Sequence, residues 1–253
     1  MLPEQRHREI LGRLATTGAV RVADLARALG VAEETIRRDL ERLSQEGWLV
    51  RTHGGALPNR DVSRDDPFEV RSGAQHEQKK AIARQALRHV SEGDVIALDA
   101  SSTVHELARI LPDTPLTVVT NALPASAVLL PRANIRVLST GGFLDNASRS
   151  WLGWLAEHAL ERVNINKFFM SSKGVDPTRG LSEVDDAQAR VKRRMMELAD
   201  QIYLLADSSK LGGRAAVFLA DIHEVDVLIT DGGADPATLE SLAAAGVKVE
   251  IAP

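Results

Sequence analysis

Thr35, Arg37, Arg38 and Arg42 crowd into one short segment in which Ile36, Leu40 and Leu43 stand at i, i+4 and i+7. That spacing predicts a helix from about Glu33 to Glu46 with one buried stripe, and it turns the polar set to the opposite side. A guanidinium fork matches a guanine edge or a phosphate, so helical arginines placed this way suit the major groove of DNA. Asp39, among the arginines, is expected to pair with one of them for at most about 1 kcal/mol, or to be a plain exposed carboxylate. Arg51 and His53 fall in Gly47–Ala56, which reads as a glycine turn, a short strand and a tight turn, hence a basic hairpin wing beside the helix.

A second set of residues suits an anion. Asp99, Ser101, Ser102 and Thr103 follow the aliphatic run Val95 to Leu98 and precede a helical stretch from Val104 to Leu111. Hydroxyls and backbone N–H groups at a helix N-terminus attract negative charge, although Ser102 or Thr103 could equally do no more than cap the helix. Thr120 and Asn121 follow the next run, and Gly141 and Gly142 the one after; ligands gather at such carboxyl ends in open α/β sheets. The two glycines also read as ordinary turn residues. Lys173, Asp185, Lys192 and Lys210 complete this candidate set, as cations for a phosphate and acceptors for sugar hydroxyls. Lys192 lies in the charge run Arg190–Arg194, which reads as well as a solvated helix face. Lys210 directly follows a strand ending in Ala206-Asp207. The histidines, among them His53, His76, His105 and His223, show no metal-ligand spacing, so neither a metal nor a cofactor is expected.

The elements that position these residues can be read on either side of them. Ile10, Leu11 and Leu14 form one helical face that stops at Thr17-Gly18; Ala23 to Leu29 is a second, short helix closed by Gly30. With the helix from Glu33 they make a helix-turn-helix at about residues 20–39 and a DNA-binding domain over 1–57. The polar stretch from Pro58 to Pro67 opens a linker over 58–74. From residue 75 to 253, helical segments alternate with the runs Val95–Leu98, Leu116–Val119, Ile135–Leu138, Lys167–Met170, Ile202–Leu205, Val227–Ile229 and Val247–Ile251. That alternation implies a mainly parallel sheet in a larger α/β domain.

Bulk properties narrow the class. The 253 residues contain no cysteine and carry a net charge of -4. No apolar run approaches the ~20 residues of a membrane span, and no signal peptide opens the chain, so a cytoplasmic protein without membrane association is expected. The acidic balance argues against indiscriminate coating of nucleic acid and leaves DNA affinity to the local arginines of the slightly basic first segment.

Asp24-Leu25-Ala26, Thr35 to Leu40, Leu43, Gly47 and Arg51 to Ala56 together resemble the signature of the DeoR family of bacterial transcriptional regulators. The remainder is similar to that family's effector domain in Lys79 to Ala83, Gly93-Asp94, Leu98-Asp99, Thr120-Asn121, Gly141-Gly142, Lys192-Arg193, Ala206 to Lys210 and Thr230-Asp231. The resemblance spans nearly the whole chain. It implies a winged helix-turn-helix joined to a domain like ribose-5-phosphate isomerase and CoA-transferase folds, a phosphorylated sugar or related metabolite as inducer, a double-stranded DNA operator, and a homo-oligomer, dimer or tetramer. A repressor of carbohydrate-metabolism genes follows. Two other classes fit parts of the pattern: a sugar-phosphate isomerase with an accessory DNA-binding domain, using Asp99, Asp185 and Lys210 as acid-base groups, and an adaptor whose three-helix module binds protein.

Overall fold

The computed structural model describes residues 2–45, 48–58 and 66–253. Glu46, Gly47 and the linker segment 59–65, to which expectations were attached above, lie outside the described residues. The chain divides into two compact units, with 66–76 grouped with the N-terminal one and Glu77–Pro253 forming the other.

The N-terminal unit runs α1 (Pro3–Thr17), β1 (Val20–Arg21), α2 (Val22–Leu29), α3 (Glu33–Gln45), β2 (Leu49–Thr52), β3 (Gly55–Pro58) and α4 (Phe68–Gly73). Pro3 opens α1 where a missing N–H costs nothing, and Gly18, at φ +70°, takes the left-handed turn that ends it. Ile10, Leu14, Leu25, Ile36, Leu40, Leu43 and Leu49 form the core, so the stripe read from periodicity is the buried one. The three strands pair antiparallel in the order β1-β3-β2. Gly55 permits this, because a Cβ there would sit 1.8 Å from the Val20 carbonyl oxygen. Residues 68–73, inside the stretch read as linker, instead form α4, which packs on α1 with Val70 against the core. A Cβ on Gly73 would come within 3.3 Å of Gly12 Cα. A helix of six residues is too short to show periodicity, which is why the polar, proline-bracketed sequence hid it.

The C-terminal unit runs α5 (His76–Leu87), β4 (Val95–Leu98), α6 (Ser102–Ile110), β5 (Leu116–Thr120), α7 (Leu123–Leu129), β6 (Ile135–Ser139), β7 (Phe143–Asp145), β8 (Ser150–Leu152) and α8 (Trp154–His158). It continues through β9 (Ile165–Met170), β10 (Gly174–Asp176), β11 (Gly180–Glu183), α9 (Asp186–Leu198), β12 (Ala199–Leu205), β13 (Val217–Ala220), β14 (Val227–Asp231), α10 (Pro236–Ala244) and β15 (Lys248–Ala252). The seven aliphatic runs become one parallel sheet, β15-β14-β12-β9-β4-β5-β6, although β9 and β12 start earlier than their apolar cores. Burial on both faces explains the nearly continuous apolar runs. Ile96 and Leu98 point into a core with Ile82, Leu107 and Leu129, while Ala97 points into another with Phe168, Val191 and Met195. Two further antiparallel pieces were not anticipated, the β7–β8 ribbon and the small sheet β10-β11-β13. Among the described residues no helix is long and apolar enough to cross a membrane.

Candidate functional site: an arginine-faced helix and a polar sheet edge

The N-terminal unit presents α3 with Ile36, Leu40 and Leu43 buried and Arg37, Arg38 and Arg42 exposed. Thr35 is half-buried at the first turn. The Arg38 side chain is 81% exposed and among the described residues reaches only Glu34, at 3.5 Å. Arg37 pairs with Glu33 at 2.7 Å and with Glu34 at 3.7 Å. Arg51 donates to Glu41 and so ties the wing to α3, while His53 is exposed in the two-residue turn between β2 and β3. Exposed pairs of this kind are worth roughly 0–1 kcal/mol, a weak hold that phosphate oxygens can replace.

Asp39 departs from its expected place. It is buried and takes no part in the arginine face; Arg6 of α1 donates to both its carboxylate oxygens, from Nη2 to Oδ1 at 3.0 Å and from Nε to Oδ2, and His7 Nε2 lies 2.9 Å from Oδ1. Burial pushes its pKa up, but the bonds from Arg6 and His7 outweigh this and hold it below the usual carboxylate range. Three residues after Ile36 on the helix, Asp39 shares the inward face, and its partners lie more than thirty positions away.

In the C-terminal unit, the residues after β12, β9, β4 and β5 meet at the carboxyl edge of four adjacent strands. Asp99, 1% exposed, accepts from Ser101 N (2.9 Å) through Oδ1 and from Ser171 N (2.9 Å) through Oδ2. Lys192 Nζ sits 3.1 Å from that Oδ2 and donates to Ser171 O at 2.7 Å and Glu183 Oε1 at 2.5 Å. Burial alone would lower the lysine's pKa; the Asp99 and Glu183 carboxylates more than reverse this and raise it. Lys192 is therefore neither a solvated charge nor an open cation: it is a buried strut that holds Asp99 and the Ser171 loop. Glu183 and Ser171, which sequence reasoning missed, complete that strut, and no local signal marks them.

Ser101 caps α6 by accepting from Val104 N at 3.2 Å, which leaves Ser102 and Thr103 buried in the first turn of the helix. Thr120 Oγ1 donates to Leu98 O (2.6 Å) and accepts from Ala122 N (3.0 Å), bracing β5 against β4. Asn121 is 1% exposed; its Nδ2 donates to Trp151 O at 3.3 Å and its Oδ1 has no hydrogen-bond partner among the described residues. Gly141 and Gly142 follow β6 at positive φ, and a Cβ on Gly142 would meet Leu152 O at 2.6 Å. Lys173 is half-buried after β9. Asp185 is exposed and caps α9, accepting from Ala187 N at 3.0 Å. Lys210 ends a 3-10 turn, Ser208–Lys210, set by Asp207 and by Asp231, whose Oδ1 accepts from Ser208 N at 2.7 Å. The Lys210 side chain is half-buried and makes no ion pair among the described residues.

A winged helix-turn-helix joined in one chain to a parallel α/β unit with a polar sheet edge is the build of a DNA-binding transcriptional regulator with a sensor domain. Residues 6–61 match the DeoR-like helix-turn-helix domain and residues 74–232 the DeoR C terminal sensor domain. The chain is 44% identical over 253 residues to the uncharacterized HTH-type transcriptional regulator YulB of Bacillus subtilis, covering 100% of this chain and 98% of that one. It is 37% identical over 250 residues to the HTH-type transcriptional regulator GlpR of Haloferax volcanii, covering 98% of each. With the L-fucose operon activator of Haemophilus influenzae it shares 37% identity over 214 residues, 85% of this chain and 86% of the relative. The chain belongs to the DeoR family of transcriptional regulators. Among solved structures, ribose 5-phosphate isomerase A of Methanocaldococcus jannaschii aligns over 54% of this chain and 55% of its own at a TM-score of 0.41 and 17% identity, a partial likeness that bears on neither substrate nor activity.

Proposed function

We propose that this protein is a cytoplasmic, homo-oligomeric repressor of carbohydrate-metabolism genes that binds a double-stranded operator and responds to a phosphorylated sugar or related metabolite. The observation that carries the reading is the exposed arginine face of α3: Arg38, 81% exposed, stands opposite a fully buried aliphatic stripe, as a groove-reading side chain must. At the sheet edge, Lys210 lacks an ion-pair partner among the described residues, and the α6 N-terminus follows β4, two strands from β12 on the same edge, which supports an anionic ligand. A related regulator is named for the L-fucose operon, consistent with a carbohydrate signal here. At Asp99 the acid-base reading lacks a free carboxylate, because both its oxygens are already engaged by backbone N–H groups and Lys192, which favours binding over turnover at that residue.

A gel-shift titration on the protein's own upstream DNA, at fixed salt and with a panel of pentose and hexose phosphates, tests this. Specific binding that one sugar phosphate releases or strengthens is the expected result. No specific binding by the folded protein, or product formed at multiple turnovers from a sugar phosphate, overturns it.

A further inference from the structure

At one end of the seven-stranded sheet the C-terminal unit exposes a run of apolar side chains: Leu138 of β6 (37% exposed), Phe143 and Leu144 of β7 (64% and 47%), and Trp154 and Leu155 of α8 (65% and 43%). Phe143 adjoins the start of α8, while Leu144, next to it on the strand, points to the other face of the ribbon. A Cβ on Gly153 would touch the Phe143 ring at 3.0 Å, and one on Gly142 would lie 3.2 Å from Ala156 Cβ, so the loop after β6, the ribbon and α8 pack on one another. Aromatic side chains present 150–250 Å² each, so Phe143, Trp154 and Leu155 together expose on the order of 400 Å², the size at which a patch on a monomer has a role. That is about half of the ~800 Å² per partner that a stable interface takes. The rest is at hand in β6, an edge strand whose outer N–H and C=O groups meet no strand among the described residues.

Charge selects the occupant. Arg136 lies two residues before Leu138 on β6 and Asp145 ends β7, and neither has an ion-pair partner among the described residues; Asp145 accepts only from Ser148, at 2.7 Å from N and 2.5 Å from Oγ. An uncommitted cation on β6 and an uncommitted anion on β7 would let a two-fold axis set each arginine against the other copy's aspartate. An anionic lipid surface would instead be repelled by Asp145. We propose that a second copy of this chain docks on β6, β7 and α8 across a two-fold axis, a surface assignment that rests on the homo-oligomeric reading above. Gln188 Nε2 donates to Ser150 Oγ at 2.9 Å and pins the ribbon to α9 one turn before Lys192, so this interface borders the sheet edge assigned to the effector.

Sedimentation velocity of the full chain over a concentration series, for the wild type, Trp154→Glu and the control Phe218→Glu, tests the assignment. Phe218 is 61% exposed on β13, outside the patch. Trp154→Glu is expected to weaken self-association by more than about 30-fold, as for a central aromatic anchor, with Phe218→Glu unchanged. An oligomeric wild type that Trp154→Glu leaves intact overturns this surface while keeping the homo-oligomeric reading; a wild type that stays monomeric overturns that reading and the surface with it. Because the chain has no cysteine, Leu155→Cys supplies a single thiol. Its maleimide labelling is expected to slow as the protein assembles, and a rate independent of protein concentration in an oligomer overturns the proposal even if Trp154→Glu fails to fold.

Discussion

Arg38 and Asp39 are chain neighbours with opposite fates. One side chain is almost fully in solvent and the other is sealed against α1 by Arg6 and His7. Arg38→Ala is expected to keep the fold and to weaken operator binding by about 1–3 kcal/mol with altered base preference if it reads a base edge; a uniform loss across sequences identifies a phosphate contact. Competition gel shifts over single-base operator variants separate the two, and unchanged binding removes Arg38 from the site. Lys210→Ala is expected to leave operator affinity intact and abolish the effector response, because only the anion loses a partner. Release assays with the responding sugar phosphate check this; induction that survives makes Lys210 structural. The arginine face was legible because helical period alone assigns sides. The Asp39 pairing and the Lys192 strut were not, since each joins segments distant along the chain whose approach only tertiary packing decides.

At the scale of elements, what could be read was what periodicity and length encode. The seven parallel strands announced themselves as aliphatic runs because both their faces are buried, whereas β7 and β8 are three residues each and too short to show a pattern. Gly55 marks a place where an element depends on one missing atom: Gly55→Ala puts a methyl 1.8 Å from the Val20 oxygen, so β1 must leave the wing sheet. We expect a loss of about 3 kcal/mol or more in denaturant unfolding, with weaker operator binding; a loss below about 1 kcal/mol would show that the backbone adjusts freely. The edge strand β15 is stapled to α5 through Glu250, which accepts from Gln85 Nε2 (2.8 Å) and Lys248 Nζ (2.7 Å) and lies 2.9 Å from His89 Nε2. Burial raises the Glu250 pKa, but these bonds more than reverse that and bring it from an ordinary 4.5 to about 2. The stabilisation is thus fully present above about pH 4.5 and is lost as pH falls towards 2, at most about 3 kcal/mol. Glu250→Gln should flatten the acid limb of a stability profile between those values, and an unchanged limb would remove the staple from the account.

For the whole molecule, two compact units of different architecture mean that DNA affinity and effector response can be lost separately, as the Arg38 and Lys210 substitutions are expected to show. The family signature made both units recognisable from sequence. Where the first unit ends was harder to read, because α4 is a short helix in a stretch whose composition is that of a linker.

The close backing of Gly73 onto Gly12 bears on how the DNA-reading part could be excised as a portable module. A fragment cut at residue 57 would strip Val70 from the core and bare the flank of α1, whereas one cut at residue 76 keeps α4 in place. We expect the longer piece to melt cooperatively and the shorter one to lose about 1–3 kcal/mol by comparison, from the apolar burial that α4 supplies. Equal melting curves for the two would show α4 to be a passenger. A fusion that borrows this reading head should therefore be joined after residue 76, beyond the helix that two facing glycines allow to lie flat.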